Sequence, residues 1–124
     1  MIFVFGSNLA GAHGAGAARF AHEHHAAKMG IGEGMTGESY ALPTCDRDIR
    51  PLPLEAIAGH VERFLDFARQ NPKLQFQVTR VGCGLAGYDD TQIAPLFLRA
   101  PDNVWLPSAF ARALTVPDHL RRSF

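Results

Sequence analysis

At 124 residues, 47% of them apolar and 19% charged, the chain has the composition of one folded globular domain. That argues against disorder and against two independent cores. Twelve basic and twelve acidic side chains cancel, so a whole-surface electrostatic grip on DNA or RNA is not expected, although a local basic patch remains open.

The chain opens on Ile2-Phe3-Val4-Phe5, a continuous apolar run that stops at Gly6 and reads as a buried strand. It has neither the basic flank nor the length of a signal peptide. From Gly6 to Gly16 glycine and alanine dominate, with Ser7, Asn8 and His13 between them. A helix is expected over Ala15–Lys28 from its alanine content, then a flexible loop over Met29–Gly37 with its four glycines, then a short strand over Ser39–Pro43.

The clearest helix is expected from Leu54 to Arg69. Leu54, Ile57, Ala58, Val61, Phe64, Leu65 and Ala68 recur at helical spacing and line one face, with Pro53 at its start and Asn71-Pro72 at its end. Leu74 to Thr79 alternates with period two and reads as a strand. It runs straight into a second glycine loop, Gly82-Cys83-Gly84-Leu85-Ala86-Gly87. A helix starting near Asp90, with Ile93, Leu96 and Phe97 inward, and a last strand over Asn103–Leu106 complete the pattern. Strands that alternate with helices imply a three-layer α/β/α domain over residues 1–124, its sheet mainly parallel or mixed. The stretch from Ser108 to Phe124 carries Arg121 and Arg122 and has no clear assignment.

Both glycine loops follow a strand and lead into a helix. In an open α/β sheet that edge binds ligands, and the helix N–H groups and dipole favour an anion. Glycine lets a ligand reach the backbone. It serves equally well for tight strand–helix packing, so one such loop is weak evidence and two with the same placement are stronger. Asn8 suits a ribose hydroxyl pair, or closes a turn on its own backbone. Tyr88 covers a sugar or base, or plugs the sheet edge. Neither loop has the G-x-G-x-x-G spacing of dinucleotide-binding folds or the Lys-Ser/Thr ending of a P-loop.

Phe3-Val4-Phe5-Gly6-Ser7-Asn8 followed by His13-Gly14-Ala15-Gly16-Ala17-Ala18 resembles the first ligand loop of macro domains. Val81-Gly82-Cys83-Gly84-Leu85-Ala86-Gly87-Tyr88 resembles the family's diphosphate loop, closest to the branch that reads isoleucine-glycine-cysteine-glycine-leucine. The resemblance covers residues 2–98. It implies an ADP-ribose-like small nucleotide as partner, free or on an ADP-ribosylated macromolecule, and no cofactor. Asn8 would face the distal ribose; Gly14, Ala15 and Gly16 would pass ribose and phosphate; Gly82, Cys83, Gly84, Leu85, Ala86 and Gly87 would wrap the diphosphate. Two family features are missing here. The chain begins after the strand whose aspartate reads adenine, and Ala86 stands where the hydrolytic branch has its catalytic aspartate. The loop after the second strand offers Cys45, Asp46 and Arg47 in place of that branch's lysine.

Other chemistry is open at four places. His13, inside the first loop, is a candidate acid or base, or a loop side chain bonded to backbone. Asp89 and Asp90 follow the second loop; one is expected to cap a helix, and Asp89 is the candidate to orient a water. Cys83 is a nucleophile only if its thiol is activated, and otherwise a small buried residue. His22, His24 and His25 spread around a helix and are read as a solvated helix end, with no metal site. Cys45 and Cys83 stand in no disulfide or zinc spacing, and no apolar run spans a bilayer, so free thiols in a soluble cytoplasmic protein are expected. Three readings follow: an ADP-ribose binder that also hydrolyses through His13 or Asp89, a non-catalytic reader of the same ligand, or an oligomeric nucleic-acid-associated protein using Arg121 and Arg122.

Overall fold

The computed structural model describes residues 1–114. Its elements in chain order are β1 (Ile2–Asn8), α1 (Gly16–His24), β2 (Gly34–Thr36), β3 (Ser39–Cys45), α2 (Leu54–Gln70), β4 (Phe76–Val78), α3 (Asp90–Ile93) running into a 3-10 turn (Ala94–Phe97), and β5 (Val104–Trp105). Residues 108–114 are helical. Arg121 and Arg122, and with them the nucleic-acid reading, lie outside the described residues.

The sheet order is β2-β3-β1-β4-β5. β1 lies parallel to both β3 and β4, with Phe5 opposite Ala41 and Val4 opposite Val78, and β4 lies parallel to β5. The first strand and the one before the second glycine loop are therefore parallel neighbours, and both deliver their loops to one edge of the sheet. β2 pairs antiparallel with β3, which makes the sheet mixed. This strand lies within the segment expected to be a loop.

Alternation along β1 divides the core. Val4 faces one side, with Tyr40, Leu42 and Val78, and meets the α2 residues Ile57, Val61, Phe64, Leu65 and Ala68. Those five belong to the face marked out by helical spacing, and Leu54 packs at its border. Ile93, Ala94, Phe97 and Phe110 close the same side. Phe5 faces the other side, with Ala18 and Ala21 of α1, Ala27 and Ala41. The small alanines let α1 lie close to the sheet, and side chains of this size leave it little apolar area to bury.

α1 ends at His24, four residues short of the expected boundary. Ala26 adopts φ 60° and the Ala27 N–H bonds back to the Ala21 carbonyl at 3.1 Å, a left-handed helix stop. At the far end of the sheet, the buried Asn103 amide nitrogen lies 2.9, 3.1 and 3.0 Å from the carbonyls of Ala68, Asn71 and Leu74. It ties the end of α2 and the turn before β4 to β5.

β1 leads into α1 on one face, and β4 leads into α3 on the other. The two strands are neighbours, so their connections diverge at the carboxyl edge and open a crevice there.

Candidate functional site

A cleft of about 260 Å³ occupies this crevice. The first loop contributes Asn8, Gly14, Ala15 and Gly16, and the second contributes Gly82, Gly84, Leu85 and Ala86. Loops some seventy positions apart in sequence thus form one site. The end of β3 adds Thr44 and Cys45, the β3–α2 connection adds Ile49, and the residues just after β4 add Thr79 and Arg80.

Two glycines make the junction geometrically possible. A Cβ on Gly6 would stand 3.2 Å from Thr44 Oγ1 and 3.6 Å from the Gly82 nitrogen, so a bare backbone at the end of β1 lets the flanking connections close over it. Gly82 adopts φ 79°, and a Cβ there would lie 2.8 Å from Ile93 Cδ1. The second loop therefore turns sharply and packs onto α3 in the same step.

The second loop uses some of its own donors. Cys83 N–H bonds to the Arg80 carbonyl at 3.1 Å, Gly87 N–H to Gly84 at 3.0 Å, and Tyr88 N–H to Gly82 at 2.9 Å. Among the described residues, the N–H groups of Gly84, Leu85 and Ala86 have no acceptor. On the other side of the crevice α1 begins at Gly16, with Ala15 supplying no side-chain cap and no acidic residue in the first turn. Unspent amide donors and a positive helix end meet at one cleft. Arg80 at its border is the site's cation. Its guanidinium grips Asp90 through two contacts of 2.9 and 3.0 Å, which raises the Arg80 pKa and lowers that of Asp90.

The hydroxyl and amide side chains in the cleft wall are turned into the protein. Asn8 donates to the Ala12 carbonyl at 2.8 Å and accepts from the Ala12 N–H at 3.0 Å, so it closes the loop on its own backbone. Ser7 donates to Gly32, Thr44 to the Ser7 carbonyl at 3.4 Å, and Thr79 to the Val4 carbonyl at 2.8 Å.

Five expected site residues line no part of this cleft: His13, Cys83, Gly87, Tyr88 and Asp89. His13 turns inward and is 1% exposed. Its Nε2–H donates to the Lys28 carbonyl at 2.8 Å, its ring meets the Phe5 ring edge-on, and its Nδ1 has no partner. That position takes it away from any ligand in the cleft. Asp89 caps α3: its carboxylate accepts from the Gln92 backbone while Gln92 Oε1 accepts from the Asp89 N–H at 2.9 Å. Tyr88 donates its hydroxyl to the Leu52 carbonyl at 2.7 Å and packs on the core, so its ring plugs the sheet edge.

The thiols are unactivated. Burial, then the hydrogen bond and charge of Asp90, push Cys83 up to about 11, and its Sγ lies 3.4 Å from Asp90 Oδ1. Burial also raises Cys45. Neither is in a disulfide. The histidines of α1 disperse: His22 Nδ1–H donates to the Ala27 carbonyl at 2.6 Å, His24 meets Phe20, and His25 stacks on Phe3 at 4.4 Å. Among the described residues no group of His, Cys, Asp and Glu side chains is placed to hold a metal ion. No helix among them is long and apolar enough to cross a membrane.

Sequence reasoning missed Arg80 and Ile49. The first had a usable signal, a cation at a strand end directly before a glycine loop; the second had none. No family model, curated protein or solved structure matches this chain.

Proposed function

We infer that the chain is a macro domain-like module that binds ADP-ribose or a related phosphate-bearing nucleotide in the cleft between its two glycine loops. One observation carries the reading. The Gly84, Leu85 and Ala86 amides and the uncapped start of α1 border the same crevice, and Arg80, its guanidinium paired with Asp90, stands at its edge. Backbone donors, a helix dipole and a guanidinium are the groups that recognise a diphosphate. The location at the carboxyl edge, between strands whose connections diverge, supports it as well.

Binding, not turnover, is what these residues support. His13 and Asp89, the two candidates for acid–base work, are committed to a carbonyl and a helix cap, and burial shifts both thiols upward, away from the thiolate a nucleophile needs. The function proposed is therefore that of a reader or carrier of the nucleotide.

Titration calorimetry of the full chain with ADP-ribose, AMP and ribose 5-phosphate tests this. ADP-ribose should bind most tightly, and Arg80→Gln should weaken it by about tenfold, the loss expected for one charge-assisted contact to phosphate. Absence of binding at millimolar ADP-ribose would refute the reading. Release of ADP-ribose from a modified protein by the chain would refute the non-catalytic part.

A further inference from the structure

We propose that the cleft takes nucleoside diphosphates as a class, holding the nucleoside between the apolar side chains of Ile49 and Leu85 without reading the base. This rests on the phosphate reading above and specifies what lies beyond the phosphates.

Ile49 and Leu85 are 47% and 71% exposed, and both border the cleft. They come from the connections after β3 and β4, the strands flanking β1 in the sheet order. The two side chains therefore rise from either side of the β1 end. Leu98 and Trp105 are comparably exposed elsewhere; what sets Ile49 and Leu85 apart is that both border the cleft, where the C–H face of a ribose or the flat face of a base would cover them.

Ile49 also holds a conformation that isoleucine avoids. Its φ is 60°, in the left-handed region where a β-branched residue is a true outlier. Ala26 has the same φ, but it is unbranched and ends a helix. At Ile49 the strain is imposed by Asp46, whose carboxylate accepts from the N–H groups of Asp48 and Arg50 at 2.9 and 3.0 Å. The Asp46 N–H bonds the Arg50 carbonyl at 2.8 Å and closes the turn. A glycine or asparagine would fit this turn at lower cost, and an exposed side chain there contributes little to the core. Strain of this kind concentrates where a side chain must be presented to a ligand.

Indifference to the base follows from the wall. No carboxylate borders the cleft among the described residues, and the side chains of Ser7, Asn8, Thr44 and Thr79 are each bonded to backbone. Discrimination among bases needs directed donors and acceptors; the side-chain ones in this wall are already engaged, and the free Gly84, Leu85 and Ala86 amides are taken by the phosphates. At about 260 Å³ the cleft is also below the ~300–1,000 Å³ that encloses a whole small-molecule ligand. The phosphates fit within and the nucleoside lies at the rim.

Calorimetry of the full chain with ADP, GDP, UDP and inorganic pyrophosphate separates these ideas. The three nucleotides should bind within about threefold of one another and each about tenfold more tightly than pyrophosphate. Ile49→Gly and Leu85→Ala should each weaken all three nucleotides by about three- to tenfold and leave pyrophosphate unchanged. Ile49→Gly should meanwhile unfold at the parent temperature or above it, because it relieves the strained φ. A preference for one base above about tenfold overturns the class assignment. Pyrophosphate binding as tightly as ADP, or unaltered nucleotide binding in both variants, overturns the apolar clamp and leaves the phosphate site standing. Failure of all four probes to bind overturns both.

Discussion

Replacing Gly82 and Gly84 by alanine, two positions apart in one loop, should separate what the loop does for the fold from what it does for a ligand. Alanine at Gly82 inherits φ 79° and places its Cβ 2.8 Å from Ile93 Cδ1 and 3.2 Å from Cγ1. Left-handed backbone costs a non-glycine residue about 1–2 kcal/mol. Forcing a methyl into a packed contact with Ile93, which is fully buried, adds about 1–3 kcal/mol. Because Ile93 has some rotamer freedom to yield, the lower half of the combined range is expected, about 2–3 kcal/mol. At about 4 °C per kcal/mol for a domain of this size, Gly82→Ala should melt some 8–12 °C below the parent. At Gly84 a Cβ meets nothing within 4 Å and φ is not left-handed. Gly84→Ala should therefore keep the parent midpoint to within about 0.5 kcal/mol. Its consequence belongs to the ligand. Gly84→Val puts a branched side chain over the unspent amides and should cost about 2 kcal/mol of ADP-ribose binding through lost phosphate contacts and lost room. Thermal melts and titration calorimetry supply the two readouts. The argument fails if Gly82→Ala is as stable as Gly84→Ala, or if Gly84→Val binds ADP-ribose like the parent.

Asn8→Ala removes both hydrogen bonds to Ala12 and should lower stability by about 1–2 kcal/mol in urea titration; unchanged stability would mean that the first loop does not depend on this clasp. Cys83 should alkylate slowly with iodoacetamide at pH 8 and accelerate towards pH 11, since burial and Asp90 hold its thiol protonated; rapid modification at pH 8 would contradict that environment. The same shift has a linkage consequence. The thiol, pushed up to about 11 in the fold, lies above its ordinary 9.0, so the Cys83 contribution to stability is full below pH 9 and is lost as the pH rises through 11. Cys83→Ala should flatten the alkaline limb of the pH–stability curve, and an unaltered limb would assign it to other groups.

Much of the scaffold is legible in the residues because its signals are local and repeated. Ile2–Phe5 is an uninterrupted apolar run, and α2 displays a full apolar stripe, so both follow from hydrophobic periodicity. The glycine loops were placed by their position after strands. β2 was not readable: Gly34, Met35 and Thr36 form a three-residue edge strand whose pairing depends on β3, and propensity says little in such a context. Side-chain direction was harder still. His13 lies inside a candidate loop and Arg80 just ahead of one, yet the first is buried against Phe5 and the second stands at the cleft border. What decides between them is the Lys28 carbonyl for one and Asp90 for the other, partners 15 and ten positions away. Ile49 is the extreme case, because only the turn organised by Asp46 reveals its backbone conformation.

Asn103 has a bearing on how the molecule opens. By holding the carbonyls of Ala68, Asn71 and Leu74 together, it makes the last turn of α2, the following bend and β5 release as one cooperative unit in native-state hydrogen exchange. The glycine loops lie at the opposite edge of the sheet, and the described bonds of the second loop stay largely within it. Exchange there should proceed by small local fluctuations that leave the Asn103 unit protected. Local opening is thus expected at the edge that carries the glycine loops, and replacements confined to open positions such as Gly84 should leave the Asn103 unit protected.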